Sequence, residues 1–344
     1  GFDLTIQGQI IRKKDFELGV TLTLGHNKSN VDKLNGDVNE LWVTGGNANK
    51  VSADGEAFKL KVGQPIGILY GYVYDGVYGF DDLYRTNSDS WSHTDPADNS
   101  GTTVKTVLGS GDTYGNPKIG MPKFKNFVDH GGGREDDVNV VDKYDKVKIG
   151  DMNPALTGGF SINGRWKNFD FTANFTYMLD FDVYNAMAYT LSSSIDNKAG
   201  NYYNVMQKFN HLNRWSFTND SGERIYGNSR TSNMDDYFIP QNQGDLLWAP
   251  QYVQKYIASS YFVEDGSFLR LSDITIGYTL PARLTKKAGI QRLRVYFTGS
   301  NLWLLTGYSG YDPEVDVQKG LTPGVDYNKY PRSRGYMFGV NLSF

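Results

Sequence analysis

Histidines and paired carboxylates are the residues of this chain that could carry out metal-dependent or hydrolytic chemistry. The four histidines, His26, His93, His130 and His211, are scattered and form no HExxH pair, and the chain has no cysteine. A protein zinc site needs several such ligands at close spacing. The histidines are therefore interpreted as exposed loop residues rather than as metal ligands.

Adjacent aspartates at 81–82, 136–137 and 235–236 could in principle supply a glycosidase with its two carboxyl groups. That chemistry needs one carboxyl group on each side of the scissile bond. Adjacent aspartates in loops are more often simply solvated, and the G-x-S-x-G nucleophile motif of serine hydrolases is absent. The sequence therefore predicts that the chain is not an enzyme.

Six aromatic residues in the predicted loops are candidates for ligand contact. Flat, amphipathic rings can stack on sugar faces or on peptide side chains. The alternative is that the same rings fill the cores of the loops. The candidates are Trp91, Trp215, Tyr237, Trp248, Tyr252 and Tyr308.

Composition limits the possible partners and folds. The chain has 35 Lys and Arg against 38 Asp and Glu, a net charge of −3, so no bulk positive field would attract nucleic acid. Aromatic residues make up 14% of a chain whose mean hydropathy is −0.49. No segment approaches the roughly 18 to 20 apolar residues of a spanning helix. A spanning β-barrel stays possible, because each of its strands shows lipid only every second residue.

Period-two alternation predicts long β-strands. The clearest pair is Leu156–Trp166 and Phe169–Leu179, in which apolar residues alternate with polar ones. The predicted strands run about 10 to 13 residues, whereas a tilted strand that crosses a bilayer needs about 9 to 11. About nine strands are predicted, starting near residues 2, 16, 57, 67, 156, 169, 268, 292 and 333.

The connections between these strands alternate between short and long, which is typical of outer-membrane barrels with short periplasmic turns and long extracellular loops. The chain is thus predicted to be all-β and to form part of one antiparallel transmembrane barrel domain over residues 1–344, with Phe344 periplasmic. Two short helices are predicted within 183–212. The predicted extracellular loops are about 28–56, 79–154, 181–267 and 304–332.

The alternative fold is a secreted β-sandwich, because antiparallel sheets often leave one face wet. Its function would be carbohydrate binding or carbohydrate-active catalysis. The alternation of short and long connections favours the barrel. Aromatic residues near predicted strand ends indicate a membrane-interface girdle, and these are Trp166, Phe169, Tyr177, Tyr278 and Tyr336.

Three groups of motifs resemble the SusC/RagA type of TonB-dependent outer-membrane transporter found in Bacteroidetes. The first is Gly63-Gln-Pro-Ile-Gly67 with the Tyr-Gly-Tyr that follows at 70–72. The second covers 148–160 and 166–171. The third, in order along the chain, consists of 262–271, 296–301, 310–315, 330–334 and 339–344.

The resemblance implies a function in the active import of oligomeric nutrients, glycan or peptide, together with a SusD-like surface lipoprotein. It also implies a 22-strand barrel in outer-membrane lipid, of which this chain is the C-terminal part. The plug, the TonB-contacting segment and the other strands would then lie outside this sequence. The terminal Gly339, Leu342 and Phe344 resemble the signal that the barrel-assembly machinery reads. The first and last strands need partners, because open edges are costly in hydrocarbon.

A calcium site is the one cofactor that the resemblance raises. The family often has an Asp-x-Asn-x-Asp-Gly run before the second motif, and carboxylates spaced two apart can hold calcium. Here a glycine run at 131–133 interrupts that spacing, and it lacks the Lys-Ser/Thr of a phosphate loop. The candidate ligands are Asp129, Asp137, Asp142 and Asp145, and the alternative is a solvated acidic loop.

Overall fold

One long antiparallel sheet, here called the wall, dominates the computed structural model. The structure describes residues 1–78, 121–127, 141–192, 257–315, 320–327 and 329–344, and elsewhere only the backbone of short paired strands. Each wall strand pairs with its neighbour along the order β1 to β7. The strands are β1 (Phe2–Lys13), β2 (Phe16–His26), β3 (Leu156–Trp166), β4 (Phe169–Leu179), β5 (Phe268–Thr279), β6 (Arg292–Thr306) and β7 (Gly335–Ser343).

The wall has one apolar and one polar face, as the alternation predicts. Across the middle of the sheet, Phe160 pairs with Phe175 and Phe175 with Leu271 on one face, and their neighbours Asn174 and Asp273 pair on the other. The apolar face is called outer and the polar face inner. No second sheet of the described residues covers the outer face, so the chain does not form the alternative β-sandwich.

A β-bulge keeps the outer face apolar along β5. In the sequence, Leu269 and Leu271 are out of phase by one residue with Ile274, Ile276 and Tyr278. The register shifts at this point with both neighbouring strands: β5 has one extra residue opposite β4, and β6 has one extra residue opposite β5. An extra residue reverses the alternation. Both apolar sets therefore face the same side.

Glycine lies opposite an aromatic residue at two positions that the wall requires. The ring of Phe171 occupies the space where a Cβ of Gly164 would lie, and the ring of Tyr296 does the same at Gly339. An aromatic side chain that folds over a cross-strand glycine covers the exposed backbone there. Larger residues at these glycines would displace the rings.

The prediction of a pair of wall strands at 57–78 is wrong. Its residues form three short strands outside the wall, Phe58–Lys61, Ile68–Gly71 and Tyr74–Val77. Ile68 and Leu69 are adjacent and both buried, which is incompatible with a strand that has one wet face. The described wall therefore has seven strands rather than about nine, and the predicted loops 28–56 and 79–154 belong to one insertion between β2 and β3. Short and long connections still alternate.

The long insertions fold together into a compact unit, here called the cap. Its four-stranded sheet has the order Val147–Asp151, Ile68–Gly71, Phe58–Lys61 and Glu40–Val43. Two further pairs join Tyr74–Val77 to Pro122–Phe124 and Asp182–Tyr184 to Val263–Asp265. The cap consists of the described residues in 31–78, 121–127, 141–153, 181–192, 257–267, 308–315 and 320–327.

Residues from all three long insertions share the cap core. Phe58, Leu69, Tyr184, Phe262 and Val325 are each at most 1% exposed and belong to one cluster. Backbone hydrogen bonds join the same insertions, because Tyr184 N donates to Gly324 O (2.8 Å) and Tyr72 N donates to Ala258 O (2.8 Å). The cap is thus a packed structure assembled from segments far apart in the sequence.

The described residues contain three short α-helices outside the wall strands: α1 (Ala48–Val51), α2 (Ala186–Thr190) and α3 (Ala282–Thr285). The side chain of Asn185 caps α2 by accepting a hydrogen bond from Ala188 N (2.8 Å). This is the first of the two helices predicted within 183–212; the second falls mostly outside the described residues. No helix in the described ranges is long and apolar enough to cross a membrane.

Candidate functional site: the inner wall and the cap

Rows of polar side chains run across the inner face from strand to strand. Asn174 donates to Asp273 (2.9 Å), Thr176 and Ser272 share a hydrogen bond (3.0 Å), and Thr275 bonds to Thr298 on β6 (2.9 Å). These rows satisfy their hydrogen-bonding groups laterally and leave a polar surface. Such a surface suits the passage of polar solutes.

Two ion pairs lie at the short-turn end of the inner face. Arg294 donates from both Nε and Nη2 to the two carboxylate oxygens of Asp170 (3.0 and 2.5 Å). Arg165 donates to Glu17 (2.9 Å). A bidentate arginine pair fixes geometry as well as charge, so these pairs hold β2, β3, β4 and β6 in register.

The cap packs against the inner face at the opposite end of the wall. The inner-face residues Met178, Phe268 and Leu304 contact the cap residues Tyr308 and Val315 in one apolar cluster. The cap therefore lies over the polar surface of the sheet rather than beside it.

A buried arginine ties the cap to the wall. Arg270, on the inner face of β5, donates to Asp312 (2.6 Å) and lies 3.6 Å from Glu314, while only 4% of its side chain is exposed. Its Nε has no hydrogen-bond partner among the described residues. Glu314 also pairs with Arg332 (2.5 Å). Burial makes this cluster sensitive to the loss of either charge.

Tyr308, one of the predicted ligand contacts, is a core residue. It is 5% exposed, and its hydroxyl donates to Asp326 Oδ2 (2.7 Å). Burial raises the pKa of Tyr308 well above its usual value, and the adjacent Asp326 carboxylate adds to this. Burial also raises the pKa of Asp326, against the hydrogen bond from Tyr308. Tyr308 therefore fills the core of the cap, which was the alternative to ligand contact for the loop aromatics.

The other predicted aromatic contacts are not brought together by the described part of the chain. Trp91 lies in the short strand Ser90–Ser92, which pairs with Tyr84–Asn87. Trp215, Tyr237, Trp248 and Tyr252 fall outside the described residues. Their ligand contact stays a prediction.

Two of the four candidate calcium ligands have structural roles. Asp142 caps the 3-10 turn Lys143–Asp145 by accepting from Tyr144 N (2.7 Å). Asp145 accepts from Asp142 N and from Phe127 N, each at 2.7 Å. Asp129 and Asp137 lie outside the described residues, and the described ones contain no group of three or more acidic or histidine ligands that could hold a metal. Calcium binding stays a prediction.

An acidic recess of about 600 Å³ lies between the cap and the ends of the wall strands, and its lining includes Lys148, Asp151, Asp182 and Asp265. Asp151 N donates to Asp182 Oδ2 (2.7 Å). Burial, reinforced by the Asp151 and Asp265 carboxylates, raises the pKa of Asp182. Nothing in the local sequence indicated this cluster, because its members come from three separate segments.

A buried lysine is a second cap feature that the sequence did not indicate. The Lys146 side chain is 1% exposed and lies 2.6 Å from Asp54 and 3.6 Å from Glu56. Its ammonium group also lies over the ring of Trp42, 5.4 Å from the centroid. Burial would raise the pKa of Asp54, but hydrogen bonds from Lys146 and Ser52 hold it below its usual value.

Three of the five predicted girdle aromatics form one cluster. The ring centroids of Trp166 and Phe169 are 6.2 Å apart, and those of Phe169 and Tyr278 are 4.7 Å apart. Tyr177 is buried toward the other end of the wall and donates to Thr23 O (2.8 Å), whereas Tyr336 is exposed on β7. The described girdle at the short-turn end therefore consists of Trp166, Phe169 and Tyr278.

The terminal residues of the predicted assembly signal lie on two faces of the last strand. Leu342 pairs with Leu293 and is half exposed on the outer face, and Phe344 follows it, largely exposed. Gly339 pairs with Tyr296 on the inner face. Gly339 thus has a packing role in addition to any role in assembly.

The same combination of wall and cap occurs in known proteins. The chain is 27% identical over its full length to TonB-dependent receptor P3 of Formosa agariphila, of which it covers 28%. It is 25% identical over its full length to TonB-dependent receptor SusC of Bacteroides thetaiotaomicron, of which it covers 26%. The chain is a relative of the SusC/RagA-type TonB-dependent transporters. No family model matches it.

Solved structures of the same type have the same fold. The RagAB peptide transporter superposes with a TM-score of 0.60 at 22% identity, and the match covers 99% of this chain and 29% of that one. The RagAB peptide importer in its 'closed-closed' state gives a TM-score of 0.61. These likenesses confirm the barrel fold class.

The chain corresponds to only part of its relatives. It spans less than a third of their length. They are receptors and transporters rather than enzymes, as the absence of catalytic motifs predicted. SusC/RagA-type receptors are outer-membrane β-barrel proteins.

Proposed function

We propose that the chain is part of a TonB-dependent transporter that actively imports oligomeric nutrients across the outer membrane. The observation that carries this proposal is the full-length similarity to TonB-dependent receptors. The amphipathic wall supports it, because an apolar outer face suits lipid and a hydrogen-bonded polar inner face suits a solute path.

The remaining barrel strands, the plug and the TonB contact are proposed to come from outside this sequence. Among the described residues, β1 and β7 each have only one neighbouring strand. Unpaired backbone groups in hydrocarbon cost several kcal/mol each. Both edges are therefore expected to pair with further strands, and energy coupling is assigned to the plug and its TonB contact.

The cap is proposed to face the cell exterior and to meet a SusD-like surface lipoprotein, with the short turns and Phe344 in the periplasm. Long extracellular connections and short periplasmic turns are the usual arrangement in these barrels. The cap supports this role because it is a preformed unit with its own core. A rigid surface loses little conformational entropy on binding a partner.

The proposed substrate is an oligosaccharide or an oligopeptide, and the polar rows of the inner face suit both. A structural relative is named a peptide transporter, which favours testing peptides first. Calcium is proposed only as a structural ion of the loop near 129–145. The described residues contain no ligand cluster that would hold it.

The proposal is tested by uptake in cells. Fluorescently labelled oligopeptides and oligosaccharides of about 1 kDa are supplied to cells with the intact gene, cells that lack it and cells treated with a protonophore. We expect at least one probe class to enter only cells that have both the gene and an energised inner membrane. Uptake of every probe class that is independent of the gene, or of the proton gradient, would contradict the proposal.

A further inference from the structure

The short-turn end of the wall is strongly basic. The segments 12–17, 165–170 and 279–294, here called the rim, contain ten Lys and Arg against three Asp and Glu, although the whole chain has 35 against 38. Two of the three acidic residues are already paired, Glu17 with Arg165 and Asp170 with Arg294. The rim therefore keeps an excess of positive charge that no carboxylate in the described ranges neutralises.

The rim is an ordered structure rather than three independent turns. Lys167 N donates to Asp15 O (2.8 Å), which joins the β3–β4 turn to the β1–β2 turn. Thr279 N donates to Asn168 O (2.9 Å), which joins the same turn to the end of β5. These bonds fix the backbone of neighbouring turns at one level, so that their cations line the same edge.

An apolar groove of about 650 Å³ lies on the outer face next to the rim, and its lining includes Phe16, Trp166, Phe171 and Ile276. Trp166 is 54% exposed, although it is the largest apolar side chain of the groove. A lipid-facing recess of this kind fits an acyl chain.

The connection between β5 and β6 is an amphipathic element at the same end of the wall as the groove. Leu284 on α3 is 61% exposed, and the cations Arg283, Lys286 and Lys287 around it are also exposed. Thr285 is buried and its carbonyl accepts from Ile290 N (3.2 Å), which closes the turn within the connection. An exposed apolar residue among cations is typical of a segment at the membrane surface.

We propose that the groove and the rim together bind an anionic phospholipid. An acyl chain lies in the groove, and the phosphate is held by Lys167, Lys286 and Lys287. Basic residues at a membrane surface favour anionic over zwitterionic headgroups, and salt screens this attraction. The assignment of this lipid to the periplasmic leaflet rests on the proposed function; the binding itself does not.

The test is lipid titration of the intact transporter, purified in neutral detergent and delipidated, by native mass spectrometry. The probes are dioleoyl phosphatidylglycerol and dioleoyl phosphatidylethanolamine. We expect phosphatidylglycerol to bind about fivefold more tightly, and the variant Lys167→Gln/Lys286→Gln/Lys287→Gln to lose that preference. Ile276→Ser in the groove is expected to weaken both lipids equally, because it changes the acyl contact alone.

A matched control neutralises three exposed lysines of the long insertion, in Lys28→Gln/Lys33→Gln/Lys61→Gln, and is expected to keep the preference. Free glycerol phosphate tests whether the site is merely a phosphate site, and we expect no displacement of the lipid. Equal binding of the two lipids, an unchanged rim variant, an equal loss in the control or displacement by glycerol phosphate would each overturn the proposal.

The outcome is separate from that of the uptake experiment. If phosphatidylglycerol preference is found but uptake does not depend on the gene, only the proposed function fails. If uptake depends on the gene and on energy but the two lipids bind equally, only the lipid inference fails.

Discussion

At the scale of single residues, buried charges hold the cap in place. Arg270 joins the inner face of β5 to the acidic side chains of the last insertion, and Lys146 joins Asp54 and Glu56 inside the cap. A buried pair contributes little net stability against an apolar replacement, but losing one partner leaves an uncompensated charge. Single substitutions here should therefore have large effects.

Arg270→Ala is expected to destabilise the cap by about 3 to 5 kcal/mol, because it leaves Asp312 buried without its cation. The measurement is unfolding of the purified protein in detergent, followed by tryptophan fluorescence. The matched control is Arg332→Ala, which removes a more exposed partner of Glu314 and should cost less than about 1 kcal/mol. Similar losses in the two variants would show that burial of the Arg270 pair is not what matters.

Asp182→Asn is expected to change how cap stability depends on pH. The folded-state pKa of Asp182 lies above its ordinary value of 3.8, through burial and its acidic neighbours. The folded protein therefore holds this proton more tightly than the unfolded chain, so its contribution falls as pH rises from 3.8 through the folded pKa. Asparagine removes this loss.

The measurement is unfolding of wild-type protein and variant across a pH series from 3 to 7. The difference between the two should grow in favour of Asp182→Asn as pH rises from 3.8. Asp151→Asn is the comparison, because the pKa of Asp151 is lowered by its hydrogen bonds from Lys148 and Asn153 despite burial. Asp151→Asn should therefore become less stable relative to the wild type as pH rises, which is the opposite trend. A constant difference for Asp182→Asn would refute the assignment.

At the scale of elements, the last strand combines packing with a proposed role in assembly. β7 pairs only with β6 among the described strands, and its outer residues Phe338 and Val340 are highly exposed. Gly339 on its inner face lies under the ring of Tyr296. The terminal pattern can therefore be required by the fold, by the assembly machinery or by both.

Gly339→Ala is expected to lower the amount of assembled barrel, because the new Cβ would collide with the Tyr296 ring. The companion change Tyr296→Ser removes that ring. Heat-modifiable migration of outer-membrane fractions on gels measures assembled protein. If the double variant assembles normally, the glycine acts through packing. If it is as defective as Gly339→Ala, the packing explanation fails.

Phe344→Asp is expected to reduce assembled barrel several-fold, because an aromatic end is proposed to target the strand to the assembly machinery. A charge near the interface costs only about 0 to 1 kcal/mol in barrel stability, so stability alone cannot explain such a loss. Asn341→Asp, on the inner face of the same strand, is the control and should assemble normally. Normal levels of Phe344→Asp would remove the targeting role.

At the scale of the whole molecule, the cap and the rim make the two ends of the wall different. One end carries a packed cap over the inner face, and the other carries short, basic turns. This polarity orients the chain in the membrane if the usual arrangement of long and short connections holds. This sequence has no cysteine, so a cysteine introduced into it can report the orientation.

Leu321→Cys in the cap should react with a membrane-impermeant maleimide added to intact cells, whereas Lys14→Cys in the rim should react only after the outer membrane is opened. Both positions are exposed, so the difference reports the side of the membrane. Cells that carry the cysteine-free chain give the background. Labelling of Lys14→Cys in intact cells would reverse the proposed topology.

The sequence by itself determined the wall. Strand alternation is a local property, and the β4 residues from Phe169 to Leu179 show it without reference to any other segment. The order of short and long connections followed from the same strands. The bulge in β5 was not anticipated, although the phase shift between Leu271 and Ile274 is visible in the sequence.

Only the tertiary structure decided the cap. The segment 57–78 has strand-like composition, but its partners for burial, Tyr184, Phe262 and Val325, lie more than a hundred residues away. Separation along the sequence also hid the Lys146 and Arg270 clusters, whose partners Asp54 and Asp312 lie 92 and 42 residues away. Packing against other insertions made Tyr308 a core residue rather than a ligand contact. A two-faced membrane strand is specified by its own alternation, whereas a core shared by distant insertions depends on which segments meet in space.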